Sequence, residues 1–458
     1  MVNNENNNRE RRLDGKQETN ELNDDNEGGN GVHRRSFLKA AGAGAGGLAL
    51  TGCLGNIGGG GGGVPDTISI GVMGPAEAPF GASILNSAKL AADEMNQNNG
   101  IAGADVEVIT KDTQDDPGVA RSVYQELTTG ENVDFTVGVF GSEQLLAILP
   151  NIAQQGKLHL STGAATPEAT RKVSQDYEKF KYYFRVGPVN SHFLGQSLIE
   201  FAKDEFESMG WNRIAMIIED FKWTEPIRNV INQRLSEVGV EVPVEKVVPE
   251  GTKDFTPIYD EMTNANVDGA YTVLAHIGST SLVQWAKQRR QFGYGGIHVP
   301  TQLPSYYKAT KGAAIATFSQ NTATPTSEIT SKTVPYADSY RNQFGKYPVY
   351  DGYITYDAMY LLKLAVEEEQ SVNSDDLVPV LEQVNKSGGT EFTGAAGVTK
   401  FFPKDHEFAH DLQYTPMTKG IYFQWQPEGE TGAQKVIWSG DKDLNTVDYM
   451  SPPWVSGE

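Results

Sequence analysis

The chain has 458 residues, and its 38% hydrophobic and 10% aromatic content is typical of a globular protein with two or three domains. A formal net charge of -21 argues against a nucleic-acid partner, because such proteins usually present a basic face to phosphate. The single cysteine excludes an internal disulfide and also the zinc sites that need two thiolates.

The segment 1–53 predicts an export leader. Residues 1–33 contain almost no large apolar side chains, so we expect them to be disordered. Residues 34–53, RRSFLKAAGAGAGGLALTGC, combine a twin arginine, a short apolar run and small residues before a cysteine. This order resembles a twin-arginine signal peptide, at 34–52, that ends in a lipoprotein box. We expect cleavage before Cys53 and a lipid on its thiol; the alternative is a free thiol in a flexible tail.

The segment 53–65 contains a glycine run at 58–63, which is typical of a flexible tether. The apolar run that ends at Leu50 is shorter than the roughly 20 residues that cross a bilayer, and no later run is longer. We therefore expect no transmembrane helix in the mature protein, which the lipid would hold at the cell surface on the cytoplasmic membrane.

The body begins near Asp66 and alternates between predicted strands and helices. TISIGV predicts a strand, SILNSAKLAADEMNQ a helix, DVEVIT a strand, VDFTVGVF a buried strand and EQLLAILPNIAQQ a helix. A second series follows, with the strands RIAMIIED, VEVPVEKVV and GAYTVLA separated by helical patterns. Repeated winding of this kind favours parallel sheets covered on both faces. We predict an α/β fold with two doubly wound, Rossmann-like lobes.

One motif near the C-terminus suggests an enzyme. In FFPKDHEFAHDLQYTP, the residues His406, Glu407 and His410 match the H-E-x-x-H pattern of zinc proteases. That chemistry needs a sustained helix and a third protein ligand. Pro403 and Pro416 bracket the motif, and the chain after it predicts a strand and a turn. We expect an exposed polar turn without a metal or cofactor, and a zinc-dependent hydrolase remains the alternative function.

Several motifs follow one another along the body in a familiar order. They are ISIGVMGP, FGASILNSAKLAADEMNQNNGIAG, VITKDTQDDP, VGVFGS, LSTGAATPEAT, FRVGP, KDF and ITYDAMYLL. In this order they resemble the branched-chain amino-acid-binding subunits of ABC importers, which have the type I periplasmic-binding-protein fold. The resemblance implies a clamp of two lobes, joined by a three-strand hinge, that closes on a solute.

The same resemblance sets the expected organisation of the body. We expect the first lobe at 66–188 and 319–400 and the second at 189–318 and 401–458. We place the three crossovers near 186–190, 316–324 and 398–404. The expected partners are a small-molecule solute and an ABC permease with its ATPase, and we expect a monomer.

The resemblance also implies ligand-binding residues on the first lobe. Ser142, at the end of VGVFGS, would hold a ligand carboxylate, and ordinary helix capping is the alternative role. In STGAATPEAT, Ala164 would contact the ligand through its backbone and Thr166 through its hydroxyl, unless this is only a polar loop. Phe80 matches a position usually held by a tyrosine that covers the ligand, although an aromatic side chain is more often part of the core.

On the second lobe, Trp223 matches an aromatic residue that faces the ligand, although an aromatic side chain is more often part of the core. Asp220 matches a residue of the cleft, but it could instead cap the next helix. Gln302 stands where amino-acid-binding members often have an acid for the ligand's ammonium group. A neutral amide weakens the case for an α-amino acid, because a buried ammonium group prefers a charged partner.

The sequence therefore predicts a non-enzymatic, extracytoplasmic solute-binding subunit of an ABC importer. An amino acid, an amide, a urea-like compound and a carboxylate all remain candidate solutes. Besides the hydrolase, a ligand-sensing surface lipoprotein is an alternative function.

Overall fold

The computed structural model describes residues 63–429 and 431–455. The predicted signal peptide and the lipid on Cys53 lie outside the described residues and stay predictions. Five parallel strands form the first sheet: β1 (Thr67–Gly74), β2 (Asp105–Asp112), β3 (Phe135–Gly138), β4 (His159–Ser161) and β5 (Tyr183–Arg185). Their spatial order is β2-β1-β3-β4-β5. The connections carry the helices α1 (Pro79–Gln97), α2 (Pro117–Gln125), α3 (Ser142–Gln155), α4 (Glu168–Gln175) and α5 (Tyr177–Phe180).

Helix α1 illustrates how the sequence pattern builds this layer. Ile84, Ala88, Ala91 and Met95 recur at helical spacing, and all four are buried. The helix stops before Gly100, where φ is 68° and a Cβ atom would lie 1.8 Å from the carbonyl oxygen of Ala104. Glycine therefore lets the chain turn directly into β2.

Seven strands form the second sheet: β6 (Arg213–Glu219), β7 (Glu241–Val248), β8 (Gly269–Leu274), β9 (Gly293–His298), β10 (Phe318–Asn321), β11 (Ile421–Glu428) and β12 (Thr431–Trp438). Their order is β12-β11-β10-β9-β8-β6-β7, and only β11 and β12 run antiparallel to their neighbours. The helices that follow the early strands are α6 (Ser191–Met209), α7 (Thr224–Arg234), α8 (Thr256–Asn264), α9 (Gly278–Lys287) and α10 (Tyr306–Ala309).

Three further helices lie between β10 and β11 in the chain: α11 (Thr333–Phe344), α12 (Tyr350–Glu369) and α13 (Ser374–Gln383). Helices α11 and α12 pack on α1, and α13 packs on α12, so these helices belong with the first sheet. We call that sheet and its helices lobe 1, and the second sheet and its helices lobe 2. The predicted fold class, α/β with two doubly wound lobes, is confirmed.

The chain passes between the lobes after β5, after β10 and before β11. Segments from all three passages, at 186–189, 320–322 and 396–399, line one cavity with about 400 Å³ of empty space. The three passages therefore come close together at this cavity. The lobe boundaries that we expect from the resemblance stay a prediction.

The HEFAH segment forms a series of turns and no α-helix. The ring of His406 stacks on Phe402, whereas His410 is fully buried and stacks on Phe184, each at 3.9 Å between ring centroids. The Nε2 atom of His410 lies 2.7 Å from Glu382 Oε1, and its Nδ1 atom lies 3.1 Å from the carbonyl oxygen of Tyr183. The expectation of an exposed turn was wrong for His410, because this ring fills a gap beside β5.

Two other histidines are completely buried at the ends of strands. His159 of β4 has Nδ1 2.9 Å from Thr136 Oγ1, while its Nε2 atom has no partner within the described residues. Burial lowers the pKa of His159 to about 3 and that of His298, in β9, to about 4. Both rings are therefore held neutral in the folded protein at pH values where an exposed histidine is charged.

We expect these two histidines to make the fold sensitive to acid. Their folded-state pKa values are depressed, so their contribution to stability is complete above the unfolded value of about 6.5 and is lost as the pH falls below it. His159→Asn can keep the hydrogen bond to Thr136 but has no ring to protonate. The free energy of unfolding, measured with urea at a series of pH values, should fall less steeply for this variant between about pH 6.5 and 4. An unchanged slope would contradict the assignment.

Candidate functional site

A pocket lies between the two sheets, at the carboxyl ends of their strands. It has about 560 Å³ of empty space, which includes its open mouth. Lobe 1 contributes loop residues that follow β3, β4 and β5, and lobe 2 contributes residues that follow or end β6, β8, β9 and β10. In open α/β sheets this edge is the usual place for a ligand.

Ser142 lies in this pocket as the first residue of α3. Its Oγ atom accepts the backbone N–H of Thr166 at 3.1 Å, so the hydroxyl hydrogen stays free to be donated. No side chain caps this end of α3, and both its N-cap residue, Gly141, and its first residue, Ser142, line the pocket. Gly163 keeps the loop after β4 close to this site, because a Cβ atom there would lie 2.8 Å from the carbonyl oxygen of Val139.

Ala164 and Thr166 are buried but do not line the pocket, whereas their neighbours Gly163 and Ala165 do. The carbonyl oxygens of Ala164 and Thr166 both accept hydrogen bonds from the guanidinium group of Arg185. The two residues thus fix the shape of the pocket loop through its backbone.

A buried ion pair supports this loop from behind. Arg185 Nε lies 3.0 Å from Asp411 Oδ1, and both side chains are completely inaccessible to solvent. Asp411 Oδ2 accepts hydrogen bonds of 2.9 Å from Thr170 Oγ1 of α4 and from Asn190 Nδ2, which caps α6. The pair therefore joins the pocket loop, two helices and the turn that contains HEFAH.

Lobe 2 presents Trp223 and His276 to the pocket, and one buried carboxylate holds both. Glu219, the last residue of β6, accepts the Nε1–H of Trp223 at 2.9 Å and lies 2.7 Å from Nδ1 of His276. It also accepts the backbone N–H of His276 at 2.9 Å. Burial alone would lower the pKa of His276, but the hydrogen bond and the negative charge of Glu219 raise it above its usual value.

Sequence reasoning selected Asp220 for this part of the site and missed its neighbour Glu219. Asp220 is exposed, whereas Glu219 is fully buried and points into the protein from the end of the strand. Successive side chains of a strand face opposite sides, so one position decides between solvent and core. The available signal was a carboxylate directly after the apolar run 214–218.

The two lobes touch across the pocket in this structure. His276 stacks on Phe221 at 4.1 Å and meets Phe140 of lobe 1 edge-on at 5.6 Å between ring centroids. Phe80 does not line the pocket; it stacks behind Phe140 at 3.9 Å. Glu143 of α3 also accepts the backbone N–H of Lys222 at 2.9 Å. In this structure the two lobes are therefore closed over the pocket.

Gln302 lines the pocket and is only 3% exposed. Its Nε2–H donates to the carbonyl oxygen of Gln320 at 2.8 Å, which orients the amide. Its Oε1 atom has no hydrogen-bond partner within the described residues. Tyr350, which sequence reasoning also missed, completes the wall and donates its hydroxyl to the carbonyl oxygen of Gly163 at 3.1 Å.

A family described as "Periplasmic binding protein" matches residues 67–420. The chain belongs to this family. Its members are the substrate-binding proteins of transporters; they act outside the cytoplasm and are not enzymes. The family predicted from the ordered motifs is confirmed, and the zinc-hydrolase alternative is not favoured.

Across residues 63–429 and 431–455, no His, Cys, Asp or Glu side chains form a group of three or more that could hold a metal ion.

The curated relatives share part of their length with this chain. The Leu/Ile/Val-binding protein homolog 1 of Brucella abortus (strain 2308) is 27% identical over 262 residues, which is 57% of this chain and 67% of the relative. The leucine-, isoleucine-, valine-, threonine- and alanine-binding protein of Pseudomonas aeruginosa is 25% identical over 233 residues, 49% of this chain and 58% of the relative. The alignments thus span between about half and two thirds of the relatives.

Solved structures share the fold over nearly their whole length. The branched-chain amino acid transporter substrate-binding protein of Streptococcus pneumoniae, in complex with isoleucine, has a TM-score of 0.67 at 19% identity and covers 81% of this chain and 99% of its own. A solute-binding protein of an ABC transporter from R. palustris, in complex with 4-hydroxybenzoate, has a TM-score of 0.67 at 16% identity, with 84% and 98% covered. No helix in the described part of the chain is long and apolar enough to cross a membrane.

Breaking the buried pair should destabilise the protein strongly. Asp411→Ala leaves the Arg185 guanidinium group buried without its counter-charge, which should lower the free energy of unfolding by about 3 to 5 kcal/mol in urea denaturation. The double variant Arg185→Met/Asp411→Leu should recover much of that loss, because both charges are removed together.

The same segment offers a matched control for this prediction. Glu407 pairs with Arg171 at 2.9 Å, but their side chains are 62% and 39% exposed, so Glu407→Gln should cost less than about 1 kcal/mol. Equal losses for Asp411→Ala and Glu407→Gln would contradict the supporting role of the buried pair.

Proposed function

We propose that the chain is the solute receptor of an ABC importer for a small carboxylate with a largely apolar body. It would hold the solute between its lobes and deliver it to a membrane permease and its ATPase. The observation that carries this proposal is the pocket itself, whose lining combines Ser142 at the start of α3 with His276 of lobe 2.

The polar groups of the pocket suit an anion. Ser142 has a free hydroxyl hydrogen, and the first turn of α3 has backbone N–H groups that favour negative charge. His276 adds a side chain whose pKa is raised towards the charged form by Glu219. A carboxylate can accept hydrogen bonds from all three sources.

The remaining walls suit an apolar body, since most of them are formed by Phe140, Leu194, Trp223, Ile297, Val299 and Tyr350. No aspartate or glutamate lines the pocket, so an α-amino group would be desolvated without a charged partner. This supports an aromatic or branched carboxylate, such as the 4-hydroxybenzoate in the R. palustris structure. A branched-chain amino acid is the second candidate, favoured by the similarity to Leu/Ile/Val-binding relatives.

The unpaired Oε1 atom of Gln302 favours some carboxylate ligands over others. Leaving the buried Oε1 atom of Gln302 without a hydrogen-bond donor costs free energy, and a hydroxyl or amide N–H group of a ligand can supply that donor. A solute with a hydrogen-bond donor at the end away from its carboxylate would therefore be preferred. Such sites discriminate strongly against analogues that lack the group, because the protein atom is then left unpaired.

Among the other predicted residues, three support the pocket from outside it and Trp223 lines it. Phe80 supports Phe140 from behind, Ala164 and Thr166 hold the pocket loop, and Trp223 contacts the solute from lobe 2. Asp220 is exposed, and we assign it no contact with a solute enclosed in this pocket. We further propose that the receptor is a monomer anchored by a lipid on Cys53.

The first test is binding by the purified protein. In calorimetry, 4-hydroxybenzoate should bind more tightly than benzoate, because its hydroxyl can reach an acceptor such as Gln302. Ser142→Ala should weaken binding of both compounds by about 1 to 3 kcal/mol, since it removes a donor to the carboxylate.

Ser122→Ala, on the exposed side of α2, is the control and should leave both affinities unchanged. Isoleucine is included in the same titrations. Binding of isoleucine with no binding of either benzoate would replace the proposed ligand class by the second candidate.

A second test concerns the anchor. Cys53→Ser removes the only thiol that a lipid could modify, so the variant should be released from the cell surface into the medium. Cell fractionation and immunoblotting of the two forms would measure this. Retention of the variant on cells at the wild-type level would contradict the lipid anchor.

A further inference from the structure

A second cleft lies on lobe 1, among α1, α11, α12 and the segment 392–394. It has about 700 Å³ of empty space, which includes its open mouth, and shares no lining residue with the solute pocket. Its walls combine aromatic rings with two carboxylates, namely Tyr336, Tyr356, Tyr360, Phe392, Glu94 and Asp357. The solute pocket has no carboxylate in its lining, so the two concave sites have opposite chemistry.

The aromatic wall is continuous. The rings of Tyr336 and Tyr356 lie 4.5 Å apart between centroids, and those of Tyr356 and Tyr360 lie 4.9 Å apart. Tyr356 and Tyr360 follow each other by one turn on α12, so the helix itself keeps the two rings adjacent. Aromatic faces carry partial negative charge and attract cations, most strongly where water is partly excluded.

Glu94 of α1 adds a full negative charge to this wall. Its Oε2 atom accepts hydrogen bonds from the hydroxyl groups of both Tyr356 and Tyr360. Its Oε1 atom has no hydrogen bond within the described residues, and the side chain is only partly buried. Two phenols therefore orient the carboxylate and leave one of its oxygens available.

Asp357 lies at the base of the cleft and is only 2% exposed. It accepts the backbone N–H groups of Ala395 and Ala396 at 2.6 and 2.8 Å. Gly394 allows this approach, because a Cβ atom there would lie 2.1 Å from the carboxylate. Burial raises the pKa of Asp357 to about 7, so a bound cation would also favour its ionised form.

The protein already places one of its own cations here. Lys332, an exposed residue that lines the cleft, has its Nζ atom 5.7 Å from the centroid of the Phe392 ring. No hydrogen bond or ion pair fixes this ammonium group within the described residues. A long flexible side chain on the surface can move aside when a better-fitting cation enters.

We propose that this cleft is a second binding site, which takes a small organic cation of the alkylammonium or quaternary ammonium class. The charge would lie against Glu94 and the rings of Tyr356 and Tyr360, with Lys332 displaced. The site is independent of the solute pocket, so the proposal does not rest on the nature of the transported solute.

The test uses choline as the probe and 3,3-dimethylbutan-1-ol, which has the same shape without the charge, as the neutral comparison. Calorimetry or ligand-observed NMR with the purified protein at low, matched ionic strength should show saturable binding of choline and much weaker binding of the alcohol. Glu94→Gln should weaken choline binding by about tenfold, because the charge is removed at constant size. Glu107→Gln, an exposed carboxylate on β2, should leave it unchanged.

Two further variants keep the proposal testable if Glu94→Gln folds poorly. Lys332→Gln should tighten choline binding, because it removes the competing ammonium group from an exposed position. Ser142→Ala should leave choline binding unchanged, because it alters only the solute pocket. The proposal is overturned if choline does not bind saturably, if the neutral alcohol binds equally well, or if Lys332→Gln and Glu94→Gln both leave choline affinity unchanged.

Discussion

The architecture of the solute pocket depends on the buried contact between Arg185 and Asp411. Two charges inside a protein are tolerated only when they are paired and their remaining polar atoms are satisfied. Here the guanidinium group holds two carbonyl oxygens of the pocket loop, and the carboxylate holds α4 and the cap of α6. The same contact gives the HEFAH segment a structural role, because its turns place Asp411 next to Arg185, close to the first crossing between the lobes. A pattern typical of zinc enzymes thus serves a structural purpose.

Lobe 2 also has a buried carboxylate next to the pocket, but this one positions side chains of the pocket wall. Glu219 is buried behind the pocket wall and holds Trp223 and His276 in fixed positions, so its negative charge acts on the histidine and does not line the pocket. The pocket therefore presents donors and apolar surface, which is the combination that an apolar carboxylate requires. The closed arrangement depends on these side chains, because the ring of His276 bridges Phe221 of its own lobe and Phe140 of the other.

The cleft beside α12 shows how the same helix layer can support a second kind of chemistry. In the solute pocket the helix contributes Tyr350, whose hydroxyl is occupied by a backbone carbonyl group. Farther along, Tyr356 and Tyr360 direct their hydroxyls to Glu94 and leave their rings along the cleft. Hydrogen-bond donors and apolar side chains line one site, and aromatic rings with carboxylates line the other, so a single ligand would not satisfy both.

The sequence by itself determined the α/β winding, because hydrophobic period is a local property, and its ordered motifs indicated the family. The resemblance to that family then pointed to Ser142, Trp223 and Gln302, which all line the pocket. Only the tertiary structure showed that Asp220 is exposed and Glu219 buried, since one step along a strand reverses the side chain's direction. The tertiary structure also determines that His410 is buried and which contacts His276, Tyr350 and Asp411 make. These depend on contacts between residues far apart in the chain, and no periodicity within a segment encodes which distant side chain will fill the space beside it.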